Sequence, residues 1–195
     1  MSTSLSKKFF FNSNWVVVEK VSKALITGLT SIVVARYLGS DGLGLLSIVL
    51  AIYSIFSIFG ALGLERILLR ELEAAVIPQD RLIGGAILLR AISAFIGFLA
   101  VNISVFFAYR DHHDIHFMTL IMSVSFFLAI GNVYEVYYRK SLRSQVVAAI
   151  RSFGLLGSAL TKICLVFLDA SITWFAIPVL IETFIVSVLY FSYRR

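Results

Sequence analysis

Apolar residues dominate six long stretches of this chain, near 15–37, 43–64, 82–108, 116–138, 150–168 and 172–193, with short polar segments between them. About 20 apolar residues cross the hydrocarbon core of a bilayer. Each stretch therefore predicts a transmembrane helix. Together they predict an all-α polytopic membrane protein, with residues 1–195 forming a single six-helix bundle. Alternating strands are absent, which argues against an outer-membrane barrel. The first stretch is interrupted by Glu19, Lys20 and Lys23, and no small-residue cleavage site follows a short apolar core. It is expected to be a retained helix and not a secretory signal. Pro178 falls inside the sixth stretch and is expected to kink it. The composition agrees: 59% of residues are hydrophobic, 14% are charged, and the mean hydropathy is +0.94. A soluble domain of this length cannot hide so much apolar surface. Cys164 is the one cysteine, so no internal disulfide can form.

The net charge of +6 invites a nucleic-acid reading, but the basic residues flank the apolar stretches and do not form one soluble patch. Their distribution reads as topology. Lys7, Lys8, Arg66, Arg70, Arg81, Arg139, Lys140, Arg143, Arg151, Arg194 and Arg195 fall in one alternating set of connectors and ends. The other set carries only Arg110, against Asp41, Asp111, Asp114 and Asp169. The positive-inside rule puts both termini in the cytoplasm. The connector 65–81 places Ile67, Leu68, Leu72 and Val76 among charged residues, the pattern of a short amphipathic surface helix.

Charged and hydroxyl residues inside the stretches recur at helical spacing. Glu19, Lys20, Lys23, Thr27, Thr30 and Ser31 share roughly a third of the first helix's circumference. The two lysines either snorkel to the inner headgroups or line a polar cavity. A tight interface of small polar residues gives a similar stripe. Arg90, Ser93, Gly97 and Ser104 form a stripe on the third stretch, and Arg151, Ser158, Lys162 and Asp169 form one on the fifth. Lys162 lies about 16 Å along the axis from Arg151, near mid-bilayer, and Glu182 reaches a similar depth on the sixth stretch. Lys162 and Glu182 are expected to pair. Glu135 could pair with Arg139 one turn on.

Other chemistry is not apparent. The segment Asp111-His112-His113-Asp114-Ile115-His116 is rich in metal-ligand types, but it lacks the separated spacing of a zinc site and reads as a solvated outer loop. No HExxH, GxxxxGK[ST] or GxSxG occurs, so neither a metal site, a cofactor nor an enzymatic activity is expected.

Val34-Ala35-Arg36-Tyr37-Leu38-Gly39-Ser40-Asp41-Gly42-Leu43-Gly44-Leu45-Leu46-Ser47 resembles the first outer turn of the polysaccharide flippases. These are the O-antigen and capsule exporters of the multidrug/oligosaccharidyl-lipid/polysaccharide exporter superfamily. Gly63-Leu64-Glu65-Arg66-Ile67-Leu68-Leu69-Arg70-Glu71-Leu72 is similar to the family's first cytoplasmic connector. Tyr134-Glu135-Val136-Tyr137-Tyr138-Arg139, followed by Ala149-Ile150-Arg151-Ser152, is similar to its connector between the fourth and fifth spans. The likeness runs through about the whole chain.

The resemblance implies translocation of an undecaprenyl-diphosphate-linked oligosaccharide across the bacterial inner membrane, for O-antigen or capsular polysaccharide, without catalysis or cofactor. Family members line their cavity with cations, which suit a diphosphate. Lys20, Lys23, Arg90 and Lys162 match that role here by depth, with Glu19 and Glu182 in supporting or coupling roles. The family has twelve or more spans in two halves, and six spans correspond to the N-terminal half. A homodimer, or a separate C-terminal half, would complete the cavity. The alternatives are another six-span oligomeric transporter or channel, the non-catalytic half of a two-chain exporter, or a membrane enzyme using Glu65 and Glu135. Beyond the lipid-linked cargo and the surrounding lipids no partner is implied, and no nucleic acid.

Overall fold

The structure is a computed structural model that describes residues 2–61, 68, 70–71, 79–140 and 144–192, and every described element is helical. In chain order they are α1 (Ser2–Ala61), α2 (Gln79–Ala108), α3 (His113–Leu128), a 3₁₀ turn (Ala129–Asn132), α4 (Val133–Lys140), α5 (Ser144–Phe167), a second 3₁₀ turn (Ile172–Ala176) and α6 (Ile177–Ser192). The amphipathic helix expected over 65–81 lies largely outside the described residues.

Among the described residues five helical stretches are long and apolar enough to cross a membrane. The sequence predicts six spans, and the difference arises at the first two. Lys20–Ile58 runs as one stretch of 39 residues. Where a loop was expected near 38–42, helical geometry continues on both sides of a single break at Gly39, with φ 66 and ψ −173. That backbone region is open essentially only to glycine, because a Cβ would clash there. The two arms of α1 pack along the same bundle. In the first arm Lys23 borders Arg151 and Glu182, while Tyr37 donates a hydrogen bond to the Ala170 carbonyl at 3.0 Å. In the second arm Gly42 lies beside Ile172, and the Tyr53 hydroxyl is 2.7 Å from that of Ser125.

Two further elements depart from the sequence reading. The fourth stretch does not remain α-helical throughout: it tightens into the 3₁₀ turn at Ala129–Asn132 before α4. A Cβ at Gly131 would collide with the Ser187 side chain, so the glycine allows α6 to approach this turn closely. Pro178 does not interrupt an α-helix in the sixth stretch. The chain first makes the 3₁₀ turn and α6 then begins at Ile177. Pro178 thus lies in the first turn of the helix, where its missing N–H costs no internal bond.

The α5–α6 corner closes with a left-handed residue, Asp169 at φ 47. Ala170 N–H bonds Leu165 O at 3.0 Å and Asp169 N–H bonds Val166 O at 3.3 Å. These are the two bonds of a Schellman cap, which satisfy carbonyls at the helix end. The seam between α5 and α6 is close because Gly154 and Gly157 face Val186, Glu182, Ile181 and Ile185. Small residues allow such approach where lipid supplies no hydrophobic drive for helix association.

The core has distinct ends. Val34, Leu46, Val49, Val105, Ile115, Met118, Met122 and Phe175 pack one end, where Tyr37 also stacks on Phe175 at 5.8 Å. Tyr134, Tyr138, Val147, Ile150, Val186 and Tyr190 pack the other. Asn102 Nδ2 donates to Ser123 Oγ at 3.1 Å between α2 and α3. Large apolar side chains such as Leu29, Ile58, Phe107 and Phe167 remain exposed, the surface a bilayer would cover.

A polar cleft between α1, α5 and α6

The first arm of α1, α5 and α6 leave a small cleft of about 30 Å³ between them. It is lined by Ser22, Lys23 and Ile26 from α1, by Arg151, Ser152 and Leu155 from α5, and by Glu182 and Val186 from α6. Helical periodicity explains the lining. Lys23 and Ile26 share one side of α1, while Arg151 and Leu155 stand one turn apart on α5. Two cations and a carboxylate thus line one opening between the three helices.

Arg151 is anchored from behind. Its Nη2 donates to Glu135 Oε2 at 2.6 Å and its Nε to Oε1 at 3.3 Å, a two-bond grip on the carboxylate. The Glu135 side chain is 2% exposed, whereas that of Arg151 is 35% exposed. The buried charge is compensated, and the charge-assisted fork fixes the plane of the guanidinium. The structure gives Glu135 a partner sixteen positions away, on the next helix. The pairing with Arg139 expected from the sequence involves a side chain outside the described residues.

The structure brings together only part of the set of residues expected from the sequence. Lys23 and Glu182 share the cleft. Lys162 and Glu182, both among the described residues, do not form the expected direct ion pair. Helix geometry explains the difference: Glu182 is drawn to the Gly154 side of α5, where its Cγ packs, about two turns from Lys162. Lys20 is exposed and does not line the cleft. Arg90 is buried on α2, which contributes nothing to this cleft, beside Ser93, whose hydroxyl bonds the Leu89 carbonyl at 2.8 Å. Ser104 of the same predicted stripe is exposed. The Glu19 side chain lies outside the described residues.

Arg151 and Glu135 were absent from the expected set. The spacing of Arg151 and Lys162 along one helix face was a usable signal for the first. For Glu135 nothing local points to α5.

At the Tyr109–His112 turn, His116 Nε2 lies 2.9 Å from the Tyr109 carbonyl and braces the loop. No group of three metal-ligating side chains comes together among the described residues. A second, open groove of about 400 Å³ is lined mainly by apolar residues including Ile87, Phe127, Ile130 and Phe191, with Gly131 and Ser187 in its wall. It carries no charged side chain.

Helices of this length and apolarity, enclosing charged groups, define a membrane protein of the polytopic helical class. The chain belongs to the polysaccharide biosynthesis protein family, whose sequence profile matches residues 7–195. Searches of curated proteins and of solved structures gave no match.

Proposed function

We propose that this protein translocates an undecaprenyl-diphosphate-linked oligosaccharide from the cytoplasmic to the outer leaflet of the bacterial inner membrane, for O-antigen or capsular polysaccharide. The observation that carries the reading is the meeting of Lys23, Arg151 and Glu182 in one cleft between membrane-length helices. Ionised groups on membrane-spanning helices are costly and mark paths for polar cargo. Membership of a polysaccharide biosynthesis family supports the cargo class. In this reading Lys20, Lys23, Arg90 and Lys162 offset diphosphate charge at successive positions, with Glu19 and Glu182 as supporting or coupling carboxylates. The protein acts as a transporter and not as an enzyme.

The two arms of α1 are then two crossings joined at Gly39. A helix of 39 residues measures about 58 Å at 1.5 Å per residue, nearly twice the hydrocarbon thickness. Six crossings with basic inner connectors place both termini in the cytoplasm. A second copy, or a separate second half, supplies the opposite wall of the cavity.

Reconstitution tests this. Proteoliposomes carrying a fluorescent diphosphate-linked oligosaccharide are treated with a membrane-impermeant quencher. Loss of the protected signal that depends on the protein, and is slowed by Lys162→Ala and Arg90→Ala, supports flipping. Protein-independent quenching, or small-ion conduction without lipid movement, rejects it in favour of an oligomeric channel.

A further inference from the structure

We propose that the open groove on the far side of α6 seats one acyl chain of an anionic phospholipid, whose head group is held by the cations at the adjoining ends of α2, α4 and α6. The site is separate from the cleft and does not depend on the cargo proposed above. α6 turns Glu182 and Val186 to the cleft, and Ser187, Val188 and Phe191 to the groove.

The groove lies where the fourth stretch leaves α-helical geometry. Ile130 and Gly131, from the 3₁₀ turn Ala129–Asn132, line it. Gly131 has no side chain, and α6 comes close to the turn there through Ser187. Tyr134 and Phe191 also line the groove, and their rings meet edge-on at 6.4 Å. Phe191 is 66% exposed and Val188 44%, so this face of α6 is open to the bilayer.

Three observations choose the occupant. The first is polarity. The groove lies between helices of membrane length and carries no charged side chain. Its polar side chains are the hydroxyls of Tyr134, Ser187 and Ser192. An ionic ligand brought out of water into such walls would go uncompensated, whereas a hydrocarbon chain loses nothing.

The second is size. A cavity of about 150 Å³ holds a six-carbon ring, so a volume of about 400 Å³ takes about 16 carbons, one acyl chain. A helix about 10 Å across fills the same volume with about one turn. The groove is therefore cut to a chain and not to a partner helix.

The third is charge at the mouth. The three helices share one end: Ala86 of α2 packs with Val136 of α4, and Tyr138 of α4 stacks on Tyr190 of α6 at 6.0 Å. At that end lie Arg81 in the first turn of α2, Arg139 and Lys140 in the last turn of α4, and Arg194 and Arg195 directly after α6, against Asp80. Basic residues between membrane helices at the cytoplasmic side bind anionic head groups. Ser192 lies at this end, and Ser187 about 7.5 Å deeper. The hydroxyls thus stand where the glycerol and ester oxygens of a lipid enter, with apolar walls beyond them.

The test uses the full chain in nanodiscs of equal parts phosphatidylglycerol and phosphatidylcholine. The photoreactive residue p-benzoylphenylalanine replaces Phe191 in the groove or, as control, Phe153, which is exposed on α5 and outside the groove. The control registers the general attraction of anionic lipid to a basic membrane face. The probe at Phe191 is expected to label phosphatidylglycerol over phosphatidylcholine about fivefold more selectively than the probe at Phe153. Val188→Trp fills the groove, and combined Arg81→Gln, Arg194→Gln and Arg195→Gln strip the mouth of charge. Each is expected to bring the ratio at Phe191 down to that at Phe153. Thermal unfolding in phosphatidylcholine alone checks that the variants fold, and the comparison of the two probe positions decides the matter even where a variant does not. Equal ratios at the two positions overturn the proposal, as does a ratio at Phe191 that survives either set of substitutions in folded protein. Displacement of the phosphatidylglycerol label by farnesol would assign the groove to an isoprenoid chain and overturn it. Crosslinked dimers from the probe at Phe191 would make the groove an interface between copies of this chain, and would also overturn it.

Discussion

Arg151 Nη2 stands 2.6 Å from Glu135 Oε2 and ties α5 to α4. Removing either partner strips a buried or half-buried charge of its counter-ion. Glu135→Ala and Arg151→Ala are each expected to destabilise the protein by about 2 kcal/mol. The loss is expected to be smaller for Glu135→Ala, because the abandoned arginine is one-third exposed and can reach water. The double variant is expected to lose less than the sum of the two. Thermal unfolding of the three variants in detergent gives the coupling, and additive losses would show that the contact contributes nothing.

Glycines on α5 predict contrasting outcomes. A Cβ at Gly154 would stand 2.5 Å from Val186 Cγ2 and 3.1 Å from the Glu182 carbonyl oxygen. Backbone cannot move aside cheaply, so Gly154→Ala is expected to force α5 and α6 apart and cost about 1–3 kcal/mol. At Gly157 the nearest atom is the Cδ1 end of Ile185, which can rotate away, so Gly157→Ala is expected to be milder. At Gly84 and Gly85 nothing lies within 4 Å. Alanine there is expected to stabilise α2 by about 0.5–1 kcal/mol through helix propensity. Unfolding temperatures of the four variants should rank in this order.

Gly39 carries the sharpest backbone requirement. A side chain at φ 66, ψ −173 is strained by about 1–3 kcal/mol. Gly39→Ala is expected to lower the unfolding temperature and weaken the contact of the first arm with the α5–α6 corner. In a Cys164→Ser background, Ser40→Cys is expected to react with a membrane-impermeant thiol reagent added outside intact cells. Ser40→Cys that reacts only after permeabilisation would show that the bend is not an outer turn.

Tyr37 holds the bend against that corner through its hydroxyl bond to Ala170 O at 3.0 Å. Tyr37→Phe removes the bond but keeps the ring stacked on Phe175. The expected cost is about 0.5–1.5 kcal/mol. Tyr37→Ala also loses the stacking and is expected to cost more. Equal losses in the two variants would mean that the hydroxyl, and not the ring, makes the attachment.

The sequence by itself determined the helical class and the membrane setting. Runs of apolar residues near bilayer length leave a helix as the way to satisfy every backbone N–H and C=O locally. It also located the charged positions along each helix, because a period of about 3.6 residues turns spacing into a face. Lys23 and Glu182 were legible in this way as groups within membrane helices, and both line the cleft. Tertiary structure decided which charges meet. Glu135 meets Arg151 on the next helix, a contact that no local spacing indicates. Residue count along each helix matched Lys162 and Glu182 in depth, but the packing of α6 on α5 sets Glu182 beside Gly154, about two turns from Lys162. Residue count gives position along one helix. Which positions of two helices meet depends on how their side chains interlock, and the close approach at a glycine is set by both surfaces together.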